Sequence, residues 1–210
     1  MQKRVLTVAA HPDDEVLGCG GSMARHVTDG DEVFVIFMAD GVGARSSIKR
    51  LNNNELKERK QAAFSACGIL GVKNLHFLDF PDNRMDTLPL LDIIQPLERL
   101  IDKIKPDIVY THHHCDLNID HQITHRAVMT ACRPLPTQCV KTILAFEVVS
   151  STEWALESEK KFIPNYFITL SCEHVKKKLS AIQAYDKEMR AFPHVRSAEN
   201  IENLMKVRGA

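Results

Sequence analysis

The chain of 210 residues is 44% hydrophobic and 26% charged, a composition typical of a folded globular protein rather than a disordered or fibrous one. Lysine plus arginine equals aspartate plus glutamate at 27 each, so the net charge predicts no nucleic-acid partner and no anionic-membrane partner. The apolar stretch near the amino terminus is too short for a signal peptide or a transmembrane segment, and the six cysteines form no CxxC pair. We therefore expect a cytoplasmic protein with reduced thiols and a single domain over residues 1–210.

Short segments rich in valine, isoleucine and phenylalanine alternate along the chain with longer segments of helical periodicity. In chain order, the predicted strands are Arg4 to Ala10, Glu32 to Ala39, Leu75 to Phe80, Asp107 to Thr111, Thr142 to Val148, and a sixth near Tyr166 to Leu170. The predicted helices are Glu15 to Thr28, Asn54 to Cys67, Leu90 to Ile104, His121 to Cys132, and Glu173 to Met189. This alternation predicts an α/β, Rossmann-like fold with a mostly parallel sheet flanked by helices.

The segment His11-Pro12-Asp13-Asp14-Glu15 follows the first predicted strand directly. Open α/β sheets bind their ligands at the carboxyl ends of the strands, where this segment lies. His11 and Asp14 offer a neutral nitrogen and a carboxylate oxygen, both suitable zinc ligands. The alternative is that the acidic residues only stabilise the N-terminus of the following helix through its dipole.

A histidine-rich loop, from Thr111 to His121, follows the fourth predicted strand. In a sheet of order 3-2-1-4-5 the first and fourth strands are neighbours, so His121 can reach a metal held by His11 and Asp14. Three such ligands leave one position open for water, as in catalytic zinc sites. The alternative is a surface cluster of histidines that binds no metal.

Taken together, these residues resemble the LmbE-like or PIG-L deacetylase family. The resemblance also includes Ala39-Asp40-Gly41-Val42-Gly43, Phe80-Pro81-Asp82-Asn83-Arg84, Asp120-His121 and Glu188-Met189-Arg190. It implies a hydrolase that removes the N-acetyl group from an N-acetylglucosamine-type sugar or small glycoconjugate. His11, Asp14 and His121 would bind Zn²⁺, and Asp13 would be the general base that activates water. Fe²⁺ suits the same ligands, and the family makes a homo-oligomer an expectation.

The sequence departs from the pattern of many family members, which have His-Pro-Asp-His where this chain has Asn118-Ile119-Asp120-His121. The Asn118 amide can donate a hydrogen bond to an oxyanion, but it cannot shuttle a proton. Asp120 is then expected to orient a neighbouring side chain. His113 is the candidate for the missing imidazole.

Candidate substrate-binding residues lie in the loops beyond the second and third strands. They are Arg45, Asp82, Asn83 and Arg84. Their side chains can bind sugar hydroxyls, and the arginines can bind a phosphate or a carboxylate. The alternative for each is loop solubility or local hydrogen bonding within a turn.

Two other functions stay open. The segment Gly18-Cys19-Gly20-Gly21 suggests a Rossmann-type protein that binds a nucleotide sugar or a dinucleotide, although it does not form GxGxxG and acidic residues precede it. A non-catalytic metal- or sugar-binding module would need the three metal ligands but not Asp13.

Overall fold

The computed structural model describes residues 2–43, 53–155 and 161–209. Within them, five parallel strands form one sheet in the order β3-β2-β1-β4-β5. The strands are β1 Arg4–Ala9, β2 Glu32–Ala39, β3 Asn74–Phe80, β4 Ile108–His112 and β5 Thr142–Phe146. The predicted α/β fold and strand order are confirmed, and the sheet of the described residues is wholly parallel.

Helices cover both faces of the sheet. In the described part of the chain they are α1 Asp14–Thr28, α2 Asn53–Leu70, α3 Leu90–Ile104, α4 Ile119–Ala131, α5 Cys172–Gln183 and α6 Ala198–Gly209. One face carries α1, α2 and α5, and the other carries α3 and α4. None of these helices combines the length and the apolar composition that crossing a membrane requires.

The central strand β1 is buried on both faces. Val5 belongs to the apolar cluster under α1 and α2, while Leu6 and Val8 belong to the cluster under α3 and α4. Burial on both faces explains why this strand is an almost continuous apolar run in the sequence.

The parallel pairing of β1 with β4 brings the polar loops that follow these strands to one edge of the sheet. Their register aligns Val5 with Ile108 and Thr7 with Tyr110, so both strands end at the same edge of the sheet. The segments that follow, residues 10–13 and 113–118, therefore start side by side. This is the place where the strand order reverses and where such sheets bind ligands.

The glycines early in α1 have a packing role. A Cβ atom on Gly18 would overlap the ring of Phe146, and one on Gly21 would overlap the side chain of Leu170. Glycine at these two positions lets α1 pack closely against Phe146 and Leu170, so their presence is explained without a bound nucleotide.

Two predicted elements are wrong in part. Residues 161–171 form neither a helix nor a strand, and the exposure of Tyr166 and Phe167 shows that their aromatic character does not mark a core strand. The predicted helix from Glu173 to Met189 stops earlier, because α5 ends at Gln183 and a short 3-10 turn over Asp186–Glu188 follows. This break directs Glu188 toward the edge of the sheet where the polar loops lie.

Candidate active site

The chain leaves β1 through a tight turn that presents two adjacent carboxylates. The His11 backbone N–H donates to Asp14 Oδ2 at 2.8 Å, and the Asp14 N–H donates to the His11 carbonyl at 3.3 Å. Between them, Asp13 has a φ of 124°, which residues other than glycine rarely adopt. Asp13 and Asp14 are only 3% and 1% exposed, so both carboxylates need polar partners.

Asp14 contacts His11 and His121, and we call these three residues the metal cluster. Asp14 Oδ2 lies 3.3 Å from His11 Nδ1 and 3.2 Å from His121 Nε2. One ligand atom from each residue lies within 4.8 Å of the other two, and all three side chains are buried. The structure thus brings together the loops after β1 and β4, as predicted; the role of the three residues as metal ligands stays a prediction.

The second nitrogen of His11 faces two other carboxylates. His11 Nε2 lies 3.0 Å from Asp120 Oδ2 and 3.1 Å from Asp82 Oδ1, and these three residues form a second possible metal group. Asp120 also accepts the backbone N–H groups of Asn83 and Met85. Because its oxygens already accept these hydrogen bonds, Asp120 is better placed to orient the His11 ring than to bind a cation.

Asp116, which the sequence did not predict as a site residue, contacts the ring nitrogen of His121 that does not face Asp14. Asp116 Oδ1 is 3.1 Å from His121 Nδ1. Ser151 and Thr152 donate their hydroxyl hydrogen atoms to the Asp116 carboxylate. A carboxylate therefore lies behind each histidine of the metal cluster, an arrangement that fixes the ring orientation of metal-binding histidines.

The charges of the metal cluster stabilise one another. Burial alone would raise the pKa of Asp14, but His121 and His11 outweigh it and hold this pKa well below its ordinary value. Burial alone would lower the pKa of His121, but Asp14 and Asp116 raise it to about 9. A divalent cation held by His11, Asp14 and His121 would replace the histidine protons as the positive partner of the Asp14 carboxylate.

Asp13 faces a different set of charges, and we call Arg59, Glu188 and Arg196 the arginine cluster. Asp13 Oδ2 lies 2.9 Å from Arg196 Nη1 and 3.5 Å from Arg59 Nη2. Glu188 joins the two arginines, at 2.6 Å from Arg59 Nη1 and 3.6 Å from Arg196 Nη1. Burial raises the pKa of Asp13 even though both arginines lower it. A buried carboxylate with a raised pKa, facing a pocket, is a candidate proton acceptor.

Glu15 supports the unusual backbone of Asp13. Glu15 Oε2 accepts the Asp13 N–H at 2.9 Å, and Glu15 Oε1 accepts the Tyr185 hydroxyl at 2.6 Å. Burial raises the pKa of Glu15 to about 8. These contacts help to hold Asp13 in a backbone conformation that it would not adopt by itself.

The metal cluster and the arginine cluster open onto one pocket of about 140 Å³. Three predicted residues besides His11, Asp13, Asp14 and His121 line this pocket, namely Asp82, Asn83 and Asn118. The remaining lining residues are Gly41, Arg59, Ser150, Ser151, Glu188 and Arg196.

The structure places the other predicted residues elsewhere. The His113 ring packs edge-on against Phe162, with 5.4 Å between the centroids, and does not line the pocket, so its position does not support a role as the missing imidazole. Arg84 is exposed and likewise does not line the pocket. Arg45 lies outside the described residues.

Sequence reasoning missed both arginines of the arginine cluster. Arg59 lies in the run Lys57-Glu58-Arg59-Lys60, which reads as an ordinary solvated helix face. Arg196 lies in irregular chain between two helices, where no periodicity marks it. Only Glu188 carried a signal, because it belongs to a segment of the family resemblance.

Comparison with known proteins identifies relatives along almost the whole chain. The PIG-L family model, described as GlcNAc-PI de-N-acetylase, matches residues 6–132. The uncharacterized deacetylase YaiS of Escherichia coli strain K12 is 32% identical over 189 residues, which cover 88% of this chain and 91% of that protein. A probable N-acetyl-α-D-glucosaminyl L-malate deacetylase 2 of Bacillus cereus is 26% identical over 205 residues, covering 91% of this chain and 86% of that protein.

The fold is also similar to solved structures. The crystal structure of a 4-carboxy-2-hydroxymuconate hydratase from Pseudomonas putida matches with a TM-score of 0.77 and 23% identity, covering 99% of this chain and 86% of that one. At this identity the similarity concerns the fold alone. One fold can host different reactions, so the chemistry of this chain depends on its site residues.

Proposed function

Because the chain belongs to the PIG-L family of deacetylases, we propose that it removes the acetyl group from an N-acetylglucosamine unit of a small glycoconjugate with the help of a divalent metal ion. The observation that carries this proposal is that the metal cluster and Asp13 line the same pocket. A cation and a proton acceptor would therefore meet at the same substrate. The N-acetylglucosaminyl substrate in the name of the Bacillus cereus relative supports the choice of sugar.

The donor set of the metal cluster fits a zinc ion. Two imidazole nitrogens and one carboxylate oxygen are typical ligands of catalytic zinc. Asp120 and Asp116 lie at one nitrogen of His11 and of His121, and the other nitrogen of each ring faces Asp14. When bound, the ion would polarise the acetyl carbonyl and make water a better nucleophile at neutral pH. Fe²⁺ accepts the same ligands, so both metals belong in the test.

Asp13 is the proposed general base. Its carboxylate would accept a proton from the attacking water and then return a proton to the amine nitrogen as the C–N bond breaks. The raised pKa suits a group that must hold a proton between these two steps. Arg196 and Arg59 would keep the carboxylate in position.

Asn118 is proposed to stabilise the oxyanion. Its Oδ1 accepts the Asp120 N–H at 2.8 Å, and its Nδ2 donates to Asn83 Oδ1 at 2.9 Å. These bonds fix the orientation of the amide and leave its second N–H hydrogen for a substrate oxygen. Asp82 and Asn83, beside it in the pocket, are proposed to bind sugar hydroxyls.

The test is primary-amine release from N-acetylglucosamine and a panel of its glycosides. The protein is assayed as purified, after chelation, and after Zn²⁺ or Fe²⁺ is restored. We expect chelation to abolish amine release and one of the metals to restore it. Release that persists in protein shown by elemental analysis to be metal-free would contradict the proposal. Metal-replete protein that binds these sugars in calorimetry but releases no amine would instead be a non-catalytic binding module.

A further inference from the structure

His112, the last residue of β4, is completely buried beside the metal cluster but belongs to neither of the two possible metal groups. Its Nε2 accepts the backbone N–H of Ala10 at 2.8 Å. Ala10 joins β1 to His11, so this hydrogen bond links the end of β4 to the start of the loop that carries His11 and Asp14. Because a ring nitrogen that accepts a hydrogen bond carries no proton, His112 is a neutral imidazole with its hydrogen on Nδ1.

The same ring stacks on a residue of the metal cluster. The centroids of the His112 and His121 rings are 3.9 Å apart, and the ring planes are inclined by 26°. The His112 ring also contacts Phe146, with 4.7 Å between the centroids, and this packing restricts its movement. A proton or a bound cation gives His121 a positive charge, so a second positive ring stacked on it would be repelled. The hydrogen bond from Ala10 keeps His112 neutral and removes this repulsion.

The hydrogen bond with Ala10 also keeps His112 from acting as a metal ligand. His112 Nε2 lies only 3.6 Å from Asp14 Oδ2, but its one lone pair already accepts the Ala10 N–H. Among the described residues, His112 Nδ1 has no hydrogen-bond partner. The two features by which His112 contacts its surroundings are therefore the ring face and the Nε2 lone pair, and each of them reaches a different loop of the site.

We propose that His112 is a positioning residue of the metal cluster. Its neutral ring orients the His121 imidazole by stacking, and its Nε2 fixes the backbone that leads into His11, while His112 itself binds no ion. This inference rests on the proposed function, to which the metal ion belongs, and extends it to a residue that joins the two loops. Asp116 and Asp120 contact ring nitrogens of the histidines, whereas His112 contacts a ring face and the backbone.

Two variants separate the two contacts of His112. His112→Phe keeps a ring that can stack but removes the acceptor for the Ala10 N–H, and His112→Gln keeps a polar acceptor but has no ring. We expect the dissociation constant for Zn²⁺, measured by competition with a chelator, to rise about tenfold or more in each variant.

The matched control is His174→Gln. His174 is also a buried histidine with hydrogen bonds at both ring nitrogens, but it lies on α5 and does not line the catalytic pocket. A merely structural role would lower the thermal stability of all three metal-free variants and leave their affinity for Zn²⁺ at the wild-type value. Wild-type affinity in His112→Phe or in His112→Gln would overturn the role of the contact that the variant removes.

A measurement on the metal-free wild-type protein needs no variant to fold. Long-range ¹H–¹⁵N NMR spectra identify which ring nitrogen of a histidine carries a proton, and we expect His112 to be protonated at Nδ1 alone. Protonation at Nε2 would overturn the positioning role, even in a protein that releases amine. Metal binding that weakens in both His112 variants, without amine release from any substrate, would overturn the proposed function and leave the positioning role standing. Failure of the wild-type protein to bind Zn²⁺ or Fe²⁺ would overturn both.

Discussion

Asp13 and Asp14 are consecutive and almost completely buried, but their carboxylates lie in different surroundings. Asp14 faces the histidines of the metal cluster, which hold its pKa well below the ordinary value despite its burial. Asp13 faces the arginine cluster, and burial nevertheless raises its pKa. Neighbouring carboxylates whose pKa values move in opposite directions are suited to different roles, and the roles we propose here are binding a cation for Asp14 and exchanging a proton for Asp13. A single turn can thus place two adjacent carboxylates in opposite electrostatic surroundings.

The largest effect should come from removing a histidine of the metal cluster that contains Asp14. In His121→Ala, the metal cluster loses one of its two nitrogens, so bound metal should fall from about one ion per chain to almost none and amine release should fall to background. Elemental analysis after dialysis, combined with the amine assay, measures both. His76→Ala, a histidine of β3 that does not line the pocket, is the control. If His121→Ala kept its metal, the third ligand would have to be sought among His112, His113, His114 and His125.

Removing the Asp13 carboxylate should lower the rate of catalysis without changing metal binding. Asp13→Asn keeps the size of the side chain but removes the proton acceptor, so kcat should fall by roughly 10² to 10⁴ while the metal content stays unchanged. Metal analysis and steady-state kinetics on the same preparation test this. The matched control is Asp79→Asn, because Asp79 is an exposed carboxylate of β3 that pairs with Lys60 of α2. Normal turnover by Asp13→Asn would remove Asp13 from the mechanism.

A smaller change on the Asp14 side should come from Asp116→Asn. The neutral amide would hold His121 less firmly, and affinity for the metal should fall about 10- to 100-fold. Competition with a chelator of known affinity gives the dissociation constant. Thermal unfolding of the metal-free protein is measured alongside, because Asp116 also accepts the Ser151 and Thr152 hydroxyls. An unchanged dissociation constant would show that Asp116 does not influence the metal cluster.

A modest effect on the Asp13 side should come from Arg196. Arg196→Ala should lower kcat about tenfold with little change in KM, because the charged hydrogen bond to Asp13 is lost while Arg59 remains. Arg196→Lys keeps the charge and should recover part of kcat. A change confined to KM, or a lysine variant no better than the alanine variant, would contradict a role in positioning Asp13.

The sequence was sufficient to predict the parts of the site that regular structure positions. His11 and His121 follow apolar strands, and the strand order places the ends of β1 and β4 together, so their meeting followed from fold logic. Arg196 and Ser151 lie in irregular chain, and no periodicity predicts where irregular chain folds back. The match to the PIG-L family model has the same limit, since it covers residues 6–132 and ends before Glu188 and Arg196.

The errors in the fold have a related cause. The segment with Tyr166 and Phe167 has the residue types of a strand, but strand formation also requires a free sheet edge in register, which local composition does not report. The early end of α5 is likewise a tertiary effect, since the chain beyond it turns back and Glu188 contacts Arg59 of α2.

The φ of 124° at Asp13 is costly for the stability of the fold, although the proposed activity requires the carboxylate at this position. Elsewhere in a protein, alanine is usually more stabilising than glycine, because glycine loses more conformational freedom on folding. At Asp13 the order should reverse, so that Asp13→Gly has a free energy of unfolding about 1 kcal/mol higher than Asp13→Ala. Both variants lack the carboxylate, so chemical denaturation of the pair isolates the backbone contribution. If the order does reverse, Asp13 carries a backbone strain that glycine would avoid, and its ion pairs with Arg196 and Arg59 help to offset that strain.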